Sequence, residues 1–359
     1  MPALGSLVFS STTLRKVWAL LRDHRPNQVA NTLLFGYHAL RGFPNPRLPY
    51  CPPWLSLDIT TRCNLHCTHC LHGNPASPHK LRFPDMSVDT FVQILDRFPR
   101  AIAVGLGGGE PLLNNRALDM VEIAQARRMK VHVFTNGTTL SDSISSVLAA
   151  PIEFLNISLY GVDGESFAER TGADAALFHD IIEAVAELSK RRARGGYPRV
   201  VRTSFICIKK SMSSAFDFIR ISEQLGVDAA KLRNLHLYGI PGYDESQCLF
   251  EDDPEVQEFM GMLRSRTYRI PVYTPRLYQR TYSPRRCVAP YHQLNVGGDG
   301  SIGPCCVVGP DKRWGSILDP DIWNGQTLTD LRRNLRNDLC ALPPACLTCE
   351  QMIPERARI

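Results

Sequence analysis

From position 54 the chain alternates short apolar, β-branched runs with longer segments whose apolar positions recur every three or four residues. The runs WLSLDIT (54–60), AIAVGLG (101–107), KVHVFTN (130–136), FLNISLY (154–160), VVRTSFICI (200–208) and AAKLRNLHLY (229–238) predict strands. Between them, Val88, Phe91, Leu95 and Phe98, with Ser87 as N-cap, mark one helical face, and Leu177, Ile181, Val185 and Leu188 mark another. Strand–helix units in series specify an α/β fold with a parallel sheet, either a partial (βα)6 barrel or a doubly wound sheet.

The pattern changes on both sides of this region. Leu14, Val17, Trp18 and Leu21 form one helical stripe and Val29, Leu33, Tyr37 and Leu40 a second, so residues 1–50 read as an N-terminal helical extension. Arg15, Lys16 and Arg22 flank the first stripe and leave a membrane-surface role open, but packing onto the main domain is the expected use. Prolines at 44, 46, 49, 52 and 53 mark the connection into a core domain at 51–240. Beyond it, 241–359 is loop-rich and proline-rich, and it holds seven of the twelve cysteines.

Charge alters this picture little. A net charge of +6 suits anionic ligands but lacks the concentrated basic face of a nucleic-acid binder, so no nucleic-acid partner is expected. No apolar run approaches the roughly 18 residues of a membrane span, and no basic stretch precedes an apolar one at the start. These features give the expectation of a cytoplasmic protein without a transmembrane segment. There its cysteines stay reduced, and clustered ones point to metal binding or catalysis rather than disulfides.

The first cluster is Cys63-Asn-Leu-His-Cys67-Thr-His-Cys70, directly after the first predicted strand. In parallel α/β folds that edge is where active sites gather. Three thiolates on one loop can bind three irons of a [4Fe–4S] cube, which ordinarily takes four protein ligands. The open iron can then chelate the amino and carboxylate groups of S-adenosylmethionine (SAM). An electron from the cluster breaks the adjacent C–S bond to give a 5′-deoxyadenosyl radical. Structural zinc is the alternative, disfavoured because CxxxCxxC leaves an odd third cysteine. His66 and His69 read as packing or supporting residues rather than ligands.

The stretch LDITTRCNLHCTHC resembles the signature of the radical SAM superfamily, and the resemblance extends over roughly residues 54–240. It implies a partial (βα)6 TIM-like barrel, a [4Fe–4S] cluster on Cys63, Cys67 and Cys70, and SAM as cofactor. Gly107-Gly108-Gly109-Glu110-Pro111 resembles the family's GGEP motif, so Gly108, Gly109 and Glu110 are the implied holders of the SAM amino group. Asn136 of FTNG, Ser158 of ISLYG and Arg170 of ERTGA lie where the family places further SAM contacts. The sequence departs from the usual pattern at His69, where an aromatic residue is common, and at Tyr160, where Asp is usual.

The second constellation comprises Cys287, Cys305, Cys306, Cys340, Cys346 and Cys349. Two short runs around Gly297, Gly298 and Gly300 predict a hairpin that brings Cys287 and Cys305 together. The two-residue gap of Cys346-Leu-Thr-Cys349 lets both thiols face one centre. A zinc ribbon fits this segment when it is taken alone. The arrangement resembles the SPASM or twitch extensions of a radical SAM subgroup. That resemblance implies a small C-terminal domain with a second, auxiliary [4Fe–4S] cluster on Cys287, Cys305, Cys346 and Cys349. Cys306 and Cys340 are left over, either as buried thiols or, for one of them, as a hydrogen-atom donor.

An auxiliary cluster accepts the second electron when a substrate radical is oxidised, so dehydrogenation or cross-link formation is the expected reaction and epimerisation the runner-up. A small natural product or metabolite is the expected substrate. Peptide modification of the ribosomal-peptide or sulfatase-maturation type is the alternative, and a flavodoxin- or ferredoxin-type reductant is the expected partner. A non-catalytic iron–sulfur carrier or zinc-stabilised interaction module is the competing class, disfavoured because a carrier needs no GGEP turn. Lys231, Arg233, Asn234, His236, Tyr238, Asp244 and Glu245 lie where the last barrel strand opens, as substrate contacts or as a solvated loop.

Overall fold

The computed structural model describes residues 20–77, 81–192, 195–279, 287–337, 341–347 and 349. Its strands are β1 (Trp54–Thr60), β2 (Ala103–Gly108), β3 (Lys130–Thr135), β4 (Phe154–Ser158), β5 (Val200–Cys207), β6 (Ala229–Asn234), β7 (Val272–Tyr273), β8 (Gln293–Gly297) and β9 (Ile302–Gly303). They form one sheet in the order β7-β6-β5-β4-β3-β2-β1-β8-β9. All pairings are parallel except β8 with β9. β1 to β6 are the six runs seen in the sequence. Their order never reverses, which excludes the doubly wound alternative and leaves a partial barrel.

Alternation along each strand separates two faces. Leu55, Leu57 and Ile59 of β1 and Leu155 and Ile157 of β4 have no exposed surface and pack under the helices. Burying each such side chain contributes about 1.5–3 kcal/mol. The Ser87 hydroxyl accepts the Thr90 N–H at 3.0 Å and starts the helix Val88–Arg97, which buries Phe91, Ile94 and Leu95. The helix Ala176–Arg191 buries Ile181, Val185 and Leu188 as its spacing predicts.

The opposite, inner face is polar. Strand register places Asn156 beside Arg202, Ser158 beside Ser204, Ser204 beside Lys231, and Ile206 beside Arg233. On β2 the inner positions include glycines. A Cβ on Gly107 would meet nothing within 4 Å, and Phe134 of β3 keeps 37% of its surface exposed although it lies within a strand. The barrel therefore encloses an open lumen at this level.

The C-terminal segment is stitched into the same sheet. The predicted hairpin is present as β8 and β9, and β8 also lies parallel to β1, with Asn295 opposite Ser56. Asn295 Nδ2 donates to Asp58 Oδ2 at 2.9 Å. The helix Gln326–Asn337 buries Leu328, Leu331 and Leu335. Its fully buried Arg332 donates to the Pro290 and Trp323 carbonyls at 2.8 Å, which ties the C-terminal segment together.

One expectation is corrected. The helix Pro26–Leu40 forms, but of the stripe Val29, Leu33, Tyr37 and Leu40 only Val29 is buried, and Leu40 is 91% exposed. Its polar residues face the barrel instead. Gln28 Nε2 donates to the Ala101 and Arg127 carbonyls, and Asn31 Nδ2 to those of Cys51 and Arg100. Loop carbonyls at this end of the barrel need donors, and satisfying them outweighs burying a leucine stripe. Leu14, Val17 and Trp18 of the first stripe lie outside the described residues. Among the described residues no helix is long and apolar enough to cross a membrane.

Candidate active site

The loop carrying Cys63, Cys67 and Cys70 leaves the C-terminal end of β1 and is hung on its surroundings by the backbone. His66 N donates to Thr171 O and Thr68 N to Arg170 O, both at 2.9 Å. Sulfur-directed donors reach the thiols, Gly73 N to Cys70 Sγ at 3.4 Å and Asn136 Nδ2 to Cys63 Sγ at 3.7 Å. Burial pushes the Cys63 and Cys67 thiols up, and the neighbouring thiols of the trio push the same way. All three are free of disulfides. Desolvated, mutually repelling thiols are stabilised as thiolates by a cationic iron centre, so this donor set suits the cluster. Among the described residues no three His, Cys, Asp or Glu side chains converge as a single-ion site. A four-iron cube spreads its thiolates wider than one ion does.

The glycine turn fixes this loop against β2. Gly108 has φ +105°, a conformation that favours glycine, and Gly109 N donates to Thr60 O at 2.8 Å. Glu110 N donates to Arg62 O at 2.8 Å. The Glu110 carboxylate is fully buried and accepts Asn136 N at 2.6 Å, Thr135 Oγ1 at 2.8 Å and Leu112 N at 3.1 Å. Burial raises its pKa against those three donors. Its carboxylate thus pins the end of β3, which sets the position of Asn136.

Asn136 Nδ2 also donates to Asn64 Oδ1 at 2.9 Å, so the side chain bridges the β3 end and the cysteine loop. Ser158 is half-buried, 3.5 Å from Ser204 Oγ. The Arg170 guanidinium is committed to the protein, donating to Ile206 O at 2.8 Å and Ser211 Oγ at 2.6 Å over the Phe205 ring. Its backbone carbonyl accepts Thr68 N of the cysteine loop. His69 is buried, with its ring 5.4 Å from that of Tyr160, and burial, then Arg170 and Arg233, lower its pKa to about 3. It stays neutral and packs, as expected from its place on a crowded loop.

The C-terminal cysteines also gather. Burial and the nearby Cys305 thiol push Cys287 up to about 12, with Cys346 and Cys306 adding smaller contributions. Cys305 is raised by burial, then by Cys306, with a smaller push from Cys349, while Val308 N donates to its sulfur at 3.5 Å. Cys306 is exposed, and Cys340 lies outside the described residues. The Tyr238 hydroxyl is raised by desolvation first and then by Cys306; Arg233 opposes this, and Cys70 and Cys349 add to it. Tyr238 therefore sits within the electrostatic reach of both cysteine sets.

Some site residues were not singled out by sequence reasoning. Arg202 Nε donates to Asn156 Oδ1 at 3.0 Å, and Asn156 Nδ2 to Ser204 Oγ at 2.9 Å, a polar ladder across β4 and β5. Its signal was polar residues at alternate positions of strands whose other positions are core. Asn234, one of the polar residues at the strand opening, is buried and spends its amide on the Leu249 and Arg276 carbonyls.

Asp58 on the inner face is buried, and desolvation, offset by the Asn295 bond, raises its pKa from 3.8 to about 6. An acid whose folded pKa is raised binds its proton more readily when folded. Stability is therefore lost as pH climbs from about 4 to about 6. Asp58→Asn keeps the Asn295 contact and removes this cost. It is expected to stabilise the protein by up to about 3 kcal/mol at pH 8 and by about half that at pH 5. Urea unfolding at the two pH values checks this; an equal or negative effect at both contradicts it.

A radical SAM superfamily model matches residues 57–206, and an iron–sulfur cluster-binding domain model, SPASM, matches 287–350. The chain is a radical SAM enzyme of the SPASM/twitch subgroup. Its cofactors are [4Fe–4S] clusters and SAM. This radical SAM enzyme is 26% identical over 297 residues to a protein named probable GTP 3′,8-cyclase from Saccharolobus solfataricus, covering 78% of this chain and 90% of that one. A protein of the same name from Sulfurisphaera tokodaii is 26% identical over 265 residues, 70% and 80% of the two chains. In fold it resembles Streptococcus suis SuiB bound to precursor peptide SuiA, at TM-score 0.61 and 15% identity over 84% of this chain and 70% of that one. Native anSMEcpe with bound AdoMet gives TM-score 0.59 at 16% identity, over 83% and 88%.

Proposed function

We propose that Cys63, Cys67 and Cys70 hold the SAM-binding cluster, that Cys287, Cys305, Cys346 and Cys349 hold an auxiliary one, and that the enzyme oxidises a small molecule in the barrel lumen. The carrying observation is that residues 287–350, which hold the second cysteine set, match an iron–sulfur cluster-binding domain and include the hairpin whose β8 pairs with β1, the strand leading into the first set. When bound, the first cluster and SAM supply the hydrogen-abstracting radical and the second cluster a sink for the remaining electron. The protein's own part is positioning. Gly108 and Gly109 bring their backbone to the loop, Glu110 holds the Asn136 amide, and Asn136 and Ser158 present polar atoms near the SAM site. A flavodoxin- or ferredoxin-type protein is the proposed electron donor. The relatives are named for a small-molecule reaction, which favours a metabolite over a peptide as substrate.

The test is incubation of the reconstituted enzyme with SAM, dithionite and host extract. A metabolite that loses two hydrogens or gains an internal cross-link supports oxidation. Exchange of a carbon-bound hydrogen with no change in oxidation state contradicts it.

Epimerisation is the second reading, favoured by Cys306, which is exposed and outside the proposed four-thiolate set. Cys306→Ala separates the two. Under oxidation, product formation stays within about threefold of the parent, because Cys306 is exposed and is not one of the four proposed ligands. Under epimerisation the variant forms no epimer and the substrate radical is quenched without product.

A further inference from the structure

The helix Pro26–Leu40 is amphipathic in reverse. Gln28 and Asn31 face the barrel, while Pro26, Ala30, Leu33, Tyr37 and Leu40, spaced three or four residues apart, line the exposed side. Leu21 joins Leu33, Val29 and Ala30 along one groove. Leu21, Leu33, Leu34, Tyr37 and Leu40 make up half of the large apolar side chains exposed among the described residues. A single exposed leucine is ordinary, but a contiguous stripe of them marks an interaction surface.

The charge around this face has one sign. Within residues 1–41 the basic side chains are Arg15, Lys16, Arg22, Arg25 and Arg41 against the single acid Asp23, so this stretch holds four of the chain's six net positive charges. Asp23 is paired with Arg22. Arg25 and Arg128 border the groove and donate to the Ala126 and Arg22 carbonyls. Arg41 lies over the Tyr37 ring and donates to its hydroxyl at 2.7 Å. These partners are neutral, so the three cations keep their charge beside the apolar stripe.

The face also lies away from the chemistry. The helix is fastened to the carbonyls of Cys51, Arg100, Ala101 and Arg127, which precede β1, β2 and β3, whereas the cysteine loop leaves the other end of β1. A leucine stripe calls for an apolar partner, and the cations around it call for an anionic one. A bilayer with anionic headgroups offers both in one plane, apolar chains beneath a negative layer. Tyr37 and Arg41, at the end of the stripe, are residue types that settle at headgroup level.

We propose that the exposed face of the helix Pro26–Leu40, with Leu21 beside it, is a docking surface for an anionic lipid bilayer. The helix lies in the headgroup plane with Leu33 and Leu40 inserted, and the barrel mouth is at the opposite end. This attachment goes beyond the reaction read above and does not depend on it.

The test floats full-length reconstituted enzyme with vesicles of equal parts phosphatidylglycerol and phosphatidylcholine, and with vesicles of phosphatidylcholine alone. Binding is expected on the mixed vesicles, weaker by about fivefold or more on phosphatidylcholine, and falling as salt rises. The neutral double variant Leu33→Gln/Leu40→Gln is expected to bind about tenfold more weakly or worse. Met262→Gln, exposed on the helix Pro254–Ser265, should stay within about twofold of the parent. Iron content and 5′-deoxyadenosine formation at the parent level show that the variants have folded.

Binding that ignores lipid charge, or that the Leu33→Gln/Leu40→Gln variant retains in full, overturns the proposal. So does parent enzyme that stays off both kinds of vesicle; a dimer that this double variant converts to monomer would then assign the face to a second copy of the chain. Parent enzyme that fails to cleave SAM would instead overturn the function proposed above, independently of the vesicle result.

Discussion

Replacing Cys63, Cys67 and Cys70 together with alanine is expected to abolish SAM-dependent 5′-deoxyadenosine formation and to lower the iron content from about eight to about four per chain. The reasoning runs from position. The three thiols share one loop at the C-terminal end of β1, where burial and then the neighbouring thiols raise Cys63 and Cys67. Removing them takes away every cysteine of that loop while leaving the second set, more than two hundred residues downstream, in place. The barrel should survive, because the loop's anchors to Thr171 and Arg170 are backbone hydrogen bonds that alanine retains. Iron and sulfide analysis with chromatography of the SAM products checks both halves. Retention of about eight irons would show that the triad is not a cluster site. Zinc in place of the remaining iron would refute the auxiliary cluster.

The second large effect separates two neighbouring glycines. A Cβ on Gly109 would fall on the carbonyl of Arg62, a backbone atom that cannot swing away. Gly109→Ala must push apart the two strands of backbone that set the cysteine loop against β2. It is expected to cost about 3 kcal/mol and to lose the first cluster selectively. Gly107→Ala, two residues earlier, adds a methyl that meets nothing within 4 Å, so the stability change should stay within about 0.5 kcal/mol. Thermal unfolding and iron content of the two variants, measured side by side, decide the matter. Equal behaviour would mean that the turn is not the rigid seat described.

Much of this architecture was legible because it is local. Period-two and period-3.6 patterns fixed six strands and the helices over them, and Ser87 was readable as a cap because capping depends on residues three apart. The cysteine loop and the glycine turn were legible for the same reason, since their spacing is their chemistry. Pairing across long separations was not. Nothing near Asn295 announces that β8 joins β1, because a parallel partner more than two hundred residues away leaves no period in either strand. The helix Pro26–Leu40 misled in a different way. Its leucine stripe is genuine, but Gln28 and Asn31 face loop carbonyls that are visible only once the barrel exists. For Arg170 the resemblance says nothing of the hydrogen bonds that fix its guanidinium, to Ile206 O and Ser211 Oγ, because they cross from a helix end to β5 and its following turn.

The inner-face ladder of Asn156, Arg202 and Ser204 lies between these cases. Asn156 interrupts an apolar run and Arg202 and Ser204 flank the buried Thr203, and only strand register reveals that the three line the same wall. Register also converts Lys231 and Arg233 from loop-like polar residues into part of the chamber.

The most direct measurement is the product of SAM under reducing conditions. Anaerobically reconstituted enzyme with dithionite and SAM is predicted to release 5′-deoxyadenosine and methionine in equal amounts, at a rate that vanishes without reductant. SAM recovered intact from reduced enzyme carrying its full complement of iron would contradict the account.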